Sequence, residues 1–96
     1  MDLDAFRSSL EATEPPADLS LPLAALWQAA RGDWHAAHRL AQSDKSDDGA
    51  WVHAYLHRVE GDESNAGYWY RRAGKPHAQS NHDEEWTAIV TALLGS

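Results

Sequence analysis

A chain of 96 residues can enclose one modest hydrophobic core, and with no cysteine it has neither a disulfide framework nor a thiolate metal site or nucleophile. Fifteen acidic against eight basic residues give a net charge of −7, and such a surface repels phosphate backbones, which argues against nucleic acid as a partner. No apolar run approaches the roughly 20 residues of a membrane span, and residues 1–13 lack the apolar segment of a signal peptide, so a cytoplasmic protein without membrane partners is the expectation.

Leu3, Phe6 and Leu10 recur at helical spacing and predict a helix over residues 2–13. Glu14-Pro15-Pro16 ends it, because the residue before a proline is pushed out of the helical region. Ser20 reads as the N-cap of a helix over 21–31, with Pro22 in the first turn, where its missing N–H costs nothing. Its stripe is Leu23, Leu26, Trp27 and Ala30. Gly32-Asp33 then turns the chain into a helix over 33–43. After a polar stretch, Asp48 is the expected cap of a helix over 48–60, with Val52, Tyr55, Leu56 and Val59 inward. Gly61 ends that helix and Asp62 caps the next, over 62–73, whose stripe is Ala66, Trp69, Tyr70 and Ala73 with Trp69 at its centre. So short a link demands an antiparallel hairpin. Gly74 and Pro76 stop this helix, and Asn81 with Glu84 forms a capping box for a last helix over 82–94. There Trp86, Ile89, Val90 and Leu93 face inward. Alternating strand patterns are missing. The expected fold is all-α: one domain of stacked antiparallel hairpins, 21–43 and 48–73, with the helices over 2–13 and 82–94 as caps of the stack.

Gly32-Asp33 and Gly61-Asp62 lie 29 residues apart, and at that offset the two hairpins match physically. Leu23, Leu26, Trp27 and Ala30 fall on Val52, Tyr55, Leu56 and Val59, while Ala37, Leu40 and Ala41 fall on Ala66, Trp69 and Tyr70. Tyr55, Asp62, Ala66 and the run Tyr68-Trp69-Tyr70-Arg71-Arg72-Ala73 resemble a Sel1-type repeat, a relative of the tetratricopeptide repeat. That family's second helix reads Ala, then Trp-Tyr, a basic residue and Ala at this spacing; the match centres on residues 51–74. The resemblance implies an α-hairpin scaffold that binds proteins or peptides, and it implies no chemistry. The whole chain is also similar to small bacterial proteins from which no activity carries over.

Two groups of residues are candidates for function. The first is a surface of Trp51, Asn65, Tyr68, Arg71 and Arg72, because aromatic and arginine side chains concentrate binding energy at interfaces. Its occupant would be a protein, a peptide carboxylate gripped by a guanidinium fork, or a second copy of the chain as a homodimer. Arg71 and Arg72 also suit the last turn of a helix, where positive charge complements the dipole. The second group is histidine. His35 and His38 are three apart and His53 and His57 four apart, so each pair shares a helix face and could meet one divalent metal such as zinc. Ala54 stands where the zinc-protease glutamate would be, so that motif is excluded. The plain alternative is that these histidines bond to acidic or aromatic neighbours on ordinary helix faces. Trp34 and Trp51, near the starts of their helices, are a ligand-facing pair, a dimer patch or pads between hairpins. No Ser-His-Asp order, phosphate loop or paired-carboxylate signature is present. An interaction module without cofactor is the main reading, and a metal-binding protein or metal-dependent enzyme is the alternative.

Overall fold

The computed structural model describes residues 1–95, and all regular structure among them is α-helical. In order the helices are α1 (Leu3–Ser9), α2 (Leu21–Ala30), α3 (Trp34–Ser43), α4 (Asp47–Val59), α5 (Glu63–Ala73) and α6 (His82–Leu94). The all-α class therefore holds, with α2 to α6 within one residue of their expected ends.

The first helix is shorter than expected: it stops at Ser9 instead of continuing to residue 13. Past Ser9 the N–H groups of Leu10, Glu11 and Ala12 each reach back three residues, so the chain tightens into turns. The carbonyls of Leu10 and Ala12 are taken by the Arg31 guanidinium at 2.6 and 2.8 Å. Ser9 is itself held, donating to the Phe6 carbonyl and accepting from the Trp27 indole at 3.1 Å. Contacts with α2, absent from any local pattern, thus unwind the end of α1.

The start of α4 also differs. Ser46, not Asp48, is its N-cap, accepting from the Gly49 N–H at 3.2 Å, and Asp47 and Asp48 lie in the first turn. The cause is Asp44, whose carboxylate accepts from the Ser46 N–H at 2.8 Å and sets the residue in the extended conformation a cap requires.

The two Gly-Asp turns are one device built twice. In each, Gly32 and Gly61 take positive φ (85° and 90°), a conformation that side chains with a Cβ disfavour. The Asp33 N–H reaches the Gln28 carbonyl at 3.0 Å, and the Asp62 N–H reaches the His57 carbonyl at 2.9 Å. This is the Schellman closure, and each aspartate then caps the next helix with its side chain. Burial runs in parallel as well. Ala30 and Val59, both expected inward, are both exposed, because each lies in the last turn beside its glycine.

α2, α4 and α6 contact one another mutually, α3 pairs with α2 and α4, α5 lies along α4, and α1 packs on α6. The main core joins Phe6, Leu26, Trp27, Val52, Leu56, Trp86, Ile89 and Val90. The Trp86 indole N–H donates to the Leu26 carbonyl at 2.9 Å, which ties α6 to α2. A second, smaller cluster of Ala54, Ala66 and Tyr70 seats α5 on α4, where two alanines permit close approach. The polar end of that seam closes on Glu85, a buried carboxylate of α6. It accepts from Arg58 Nη1 at 2.8 Å and from the Tyr70 hydroxyl, while Arg58 Nη2 donates to the Ser80 carbonyl. Burial, then the bond to Glu85, holds the Tyr70 phenol protonated far above its usual range.

Three measurements check this packing. Gly49→Ala should lower stability by about 1–3 kcal/mol in urea unfolding, although alanine is the better helix former, because overpacking dominates. A Cβ at Gly49 would lie 2.3 Å from the Asp44 carbonyl oxygen, which is backbone and cannot swing aside. Glu85→Ala should cost about 3–5 kcal/mol by removing the buried carboxylate that pairs with Arg58 and accepts from Tyr70. Arg58→Met with Glu85→Met should cost clearly less than the two single changes added together; additivity would show that the pair does not interact.

Candidate metal centre

Helical spacing decides which side chains enter the seam between α3 and α4. Trp34 and His38 are four apart on α3, and their rings stack with centroids 4.8 Å apart at 12°. His53 and His57 are four apart on α4 and lie against each other at 4.8 Å and 24°. His38 meets both α4 imidazoles edge to face, at 4.6 Å from His53 and 5.3 Å from His57. Its Nε2 is 3.0 Å from Nε2 of His53. One ring nitrogen from each of His38, His53 and His57 lies within 4.8 Å of the others. His53 and His57 are buried and His38 is half-buried.

His35, grouped with these three on spacing alone, stays outside. It is exposed, and its ring meets only the perpendicular face of Trp34 among aromatic neighbours. Trp34 occupies the position next to α4 instead, where its indole N–H donates to the Leu56 carbonyl at 2.8 Å. Of the roles weighed for Trp34, the pad between hairpins is the one the structure displays.

α5 supplies the opposite wall. Trp69 stacks on His53 with centroids 3.9 Å apart at 14°, and the Arg72 guanidinium lies 5.3 Å over the Trp69 ring. His57, His53, Trp69 and Arg72 therefore form one column. Trp69 was expected at the centre of the inward stripe, but it is half-buried, and Tyr70 is the buried residue there. The helix is rotated so that Ala66, Tyr70 and Ala73 turn to the core and Trp69 is left to the histidines.

These side chains line a cleft of about 490 Å³ bounded by α3, α4, α5 and the Asp44–Ser46 turn. Of the five residues proposed for a binding surface, Asn65 and Arg72 line it. Trp51 is half-buried with the Lys75 ammonium 4.3 Å over its ring, and Tyr68 and Arg71 are exposed away from the cleft.

Burial, and then the neighbouring His38 and His57, push the His53 pKa down to about 4. His38 is lowered too, by burial and by His57, with Glu60 acting in the opposite direction. Both are neutral at pH 7, the state in which an imidazole carries a free lone pair. His57 is prepared in another way. Its Nδ1 is 2.7 Å from the Glu60 carboxylate, which assigns the proton to Nδ1 and leaves Nε2 as the lone-pair nitrogen. Glu60 belongs to no motif in the sequence. Its spacing of three from His57 was the available signal, and it meant nothing until the ring had a destination. Lys45 and Trp69 entered the site unannounced, because both reach it only through the packing of other helices.

No protein-family model matches the chain, and no curated protein or solved structure compared with it does. The functional reading stands on the geometry of the cleft.

Stability without added metal should depend on pH in a stated direction. His53 has an ordinary value of 6.5 when unfolded and about 4 when folded, so the folded state resists its protonation. Its contribution is complete above pH 6.5 and is lost as the pH falls toward 4. Melting temperature measured in chelator should therefore drop through that window, and His53→Leu should flatten the drop. Equal slopes for both proteins would mean that the ring is solvated.

Proposed function

We propose that this chain binds one divalent transition-metal ion of the zinc type through His38, His53 and His57. The observation that carries the reading is the convergence of three ring nitrogens, from two helices, within 4.8 Å at the wall of a cleft. Zinc–nitrogen bonds of about 2.0–2.1 Å in a tetrahedron place ligand nitrogens about 3.3 Å apart. The His38–His53 separation of 3.0 Å is already close to that edge. In metal-free protein one proton bridges this pair; a cation in its place needs only that each ring carry its remaining proton on Nδ1. The third nitrogen, from His57, lies within 4.8 Å of the other two. The Glu60–His57 bond supports the same reading, since a carboxylate behind a ligating imidazole fixes its tautomer and raises its basicity. Three imidazole ligands suit zinc, nickel or copper better than manganese or magnesium, and they leave a fourth position toward the cleft.

The interaction-module reading has less support, because Asn65 and Arg72 line the cleft whereas Trp51, Tyr68 and Arg71 do not. Tyr68, 46% exposed on the outer side of α5, is where a protein partner would find an aromatic anchor.

Calorimetry on tag-free protein decides the proposal. Zinc should bind one to one, and manganese much more weakly. Glu60→Gln should weaken zinc by about 10- to 100-fold, as loss of an outer-shell carboxylate does. His53→Ala with His57→Ala should abolish binding, whereas His35→Ala should leave it unchanged. Zinc binding that survives the double change in folded protein would remove this site.

A further inference from the structure

We infer that the cleft takes a small organic dicarboxylate, one end held by Arg72 with Lys45 and the other directed at the three imidazoles. The second half of this inference rests on the metal reading; the first half does not. Its starting point is charge. The protein carries −7 overall, yet the cleft is lined by two cations, Lys45 and Arg72, against a single carboxylate, Asp44. Asp44 is already engaged, since it accepts the Ser46 N–H that sets the start of α4. Neither Lys45 nor Arg72 forms an ion pair among the described residues. In an acidic protein, cations left without carboxylate partners inside a cleft favour an anion from outside.

Arg72 is also prepared for one kind of anion. Its guanidinium carbon lies 5.3 Å over the Trp69 ring centroid, a cation–π contact that holds the charge at the cleft. The donors of a guanidinium lie in its plane as a fork that matches a carboxylate, and among the described residues no carboxylate takes those of Arg72. Trp69 in turn rests on His53 at 3.9 Å, so the anion-holding group and the imidazoles belong to one ordered column. A ligand spanning that column meets positive charge at one end, the edge of the indole along its length and ring nitrogens at the other. The volume of about 490 Å³ accommodates a short carbon chain between two carboxylates. With zinc-type metal present, the second carboxylate completes the coordination that three imidazoles leave open.

Succinate is the probe, followed by nuclear magnetic resonance at the Trp69 indole N–H and the Asn65 side-chain amide, in metal-free and zinc-loaded protein. Both signals should shift in either form, with zinc tightening binding by at least about tenfold. Arg72→Met should weaken succinate by about tenfold or more, since a charge-assisted bidentate contact is lost, without weakening zinc. Lys45→Met should act in the same direction. Arg71→Met, outside the cleft, should change succinate affinity by less than about twofold, the loss expected of a screened surface charge. Binding unaffected by Arg72→Met and Lys45→Met would overturn the inference, as would an equal loss in Arg71→Met or the absence of shifts at millimolar succinate in both forms. Arg72-dependent succinate binding in a protein that takes no zinc would overturn the metal reading and keep the anion site. Zinc binding without succinate binding would do the reverse.

Discussion

The arrangement depends on one buried carboxylate. Glu85 on α6 holds Arg58 of α4 and Tyr70 of α5 at once, so three helices meet at a charged group removed from water. Such a group is tolerable inside a protein only when its lone pairs are filled, and here a guanidinium and a phenol fill them. Among the described residues no buried side-chain nitrogen or oxygen lacks a hydrogen-bond partner. The consequence extends to the far side of the same helices. Arg58 and Tyr70 are each preceded in sequence by a cleft residue, His57 and Trp69. Successive residues on a helix are turned by about 100°. Fixing Arg58 and Tyr70 toward α6 therefore fixes His57 and Trp69 toward the cleft.

That seam is an expensive use of interior space. Hydrophobic side chains at His38, His53 and His57 would fill the gap between α3 and α4 without desolvating any imidazole. The His38 and His53 rings instead remain neutral through burial and repulsion from neighbouring imidazoles, and the three rings offset part of the loss by stacking on Trp34, Trp69 and one another. The His57 ring is further fixed by its Nδ1, 2.7 Å from the Glu60 carboxylate. The same column delivers Arg72 to the cleft with its charge uncommitted, which gives the site a polarity opposite to that of the protein as a whole.

The chain's main departures from local pattern occur where helices interact with one another. The end of α1 yields to Arg31 and Trp27, and the start of α4 yields to Asp44. Close packing explains why Gly49 lies at the second of these places, since the backbone of α4 approaches Asp44 closely enough to exclude a methyl group. No described helix is long and apolar enough to cross a membrane.

Helix positions were legible in the sequence because their causes are local. Gly61 with Asp62, Asn81 with Glu84 and Ser20 with Pro22 act through bonds spanning a few residues, and those bonds are present. The pairing of His53 with His57 was legible for the same reason, one turn of helix. Which way each helix is rotated about its axis was not. Ala66, Trp69, Tyr70 and Ala73 satisfy the same periodicity whether Trp69 or Tyr70 faces the core, and the choice fell to the Tyr70–Glu85 bond with a helix that begins twelve residues beyond Tyr70. Likewise His35 and His38 share a spacing, but Trp34 takes the place beside α4 and leaves His35 in solvent. Local periodicity sets which residues share a face; the packing of distant segments decides what that face meets.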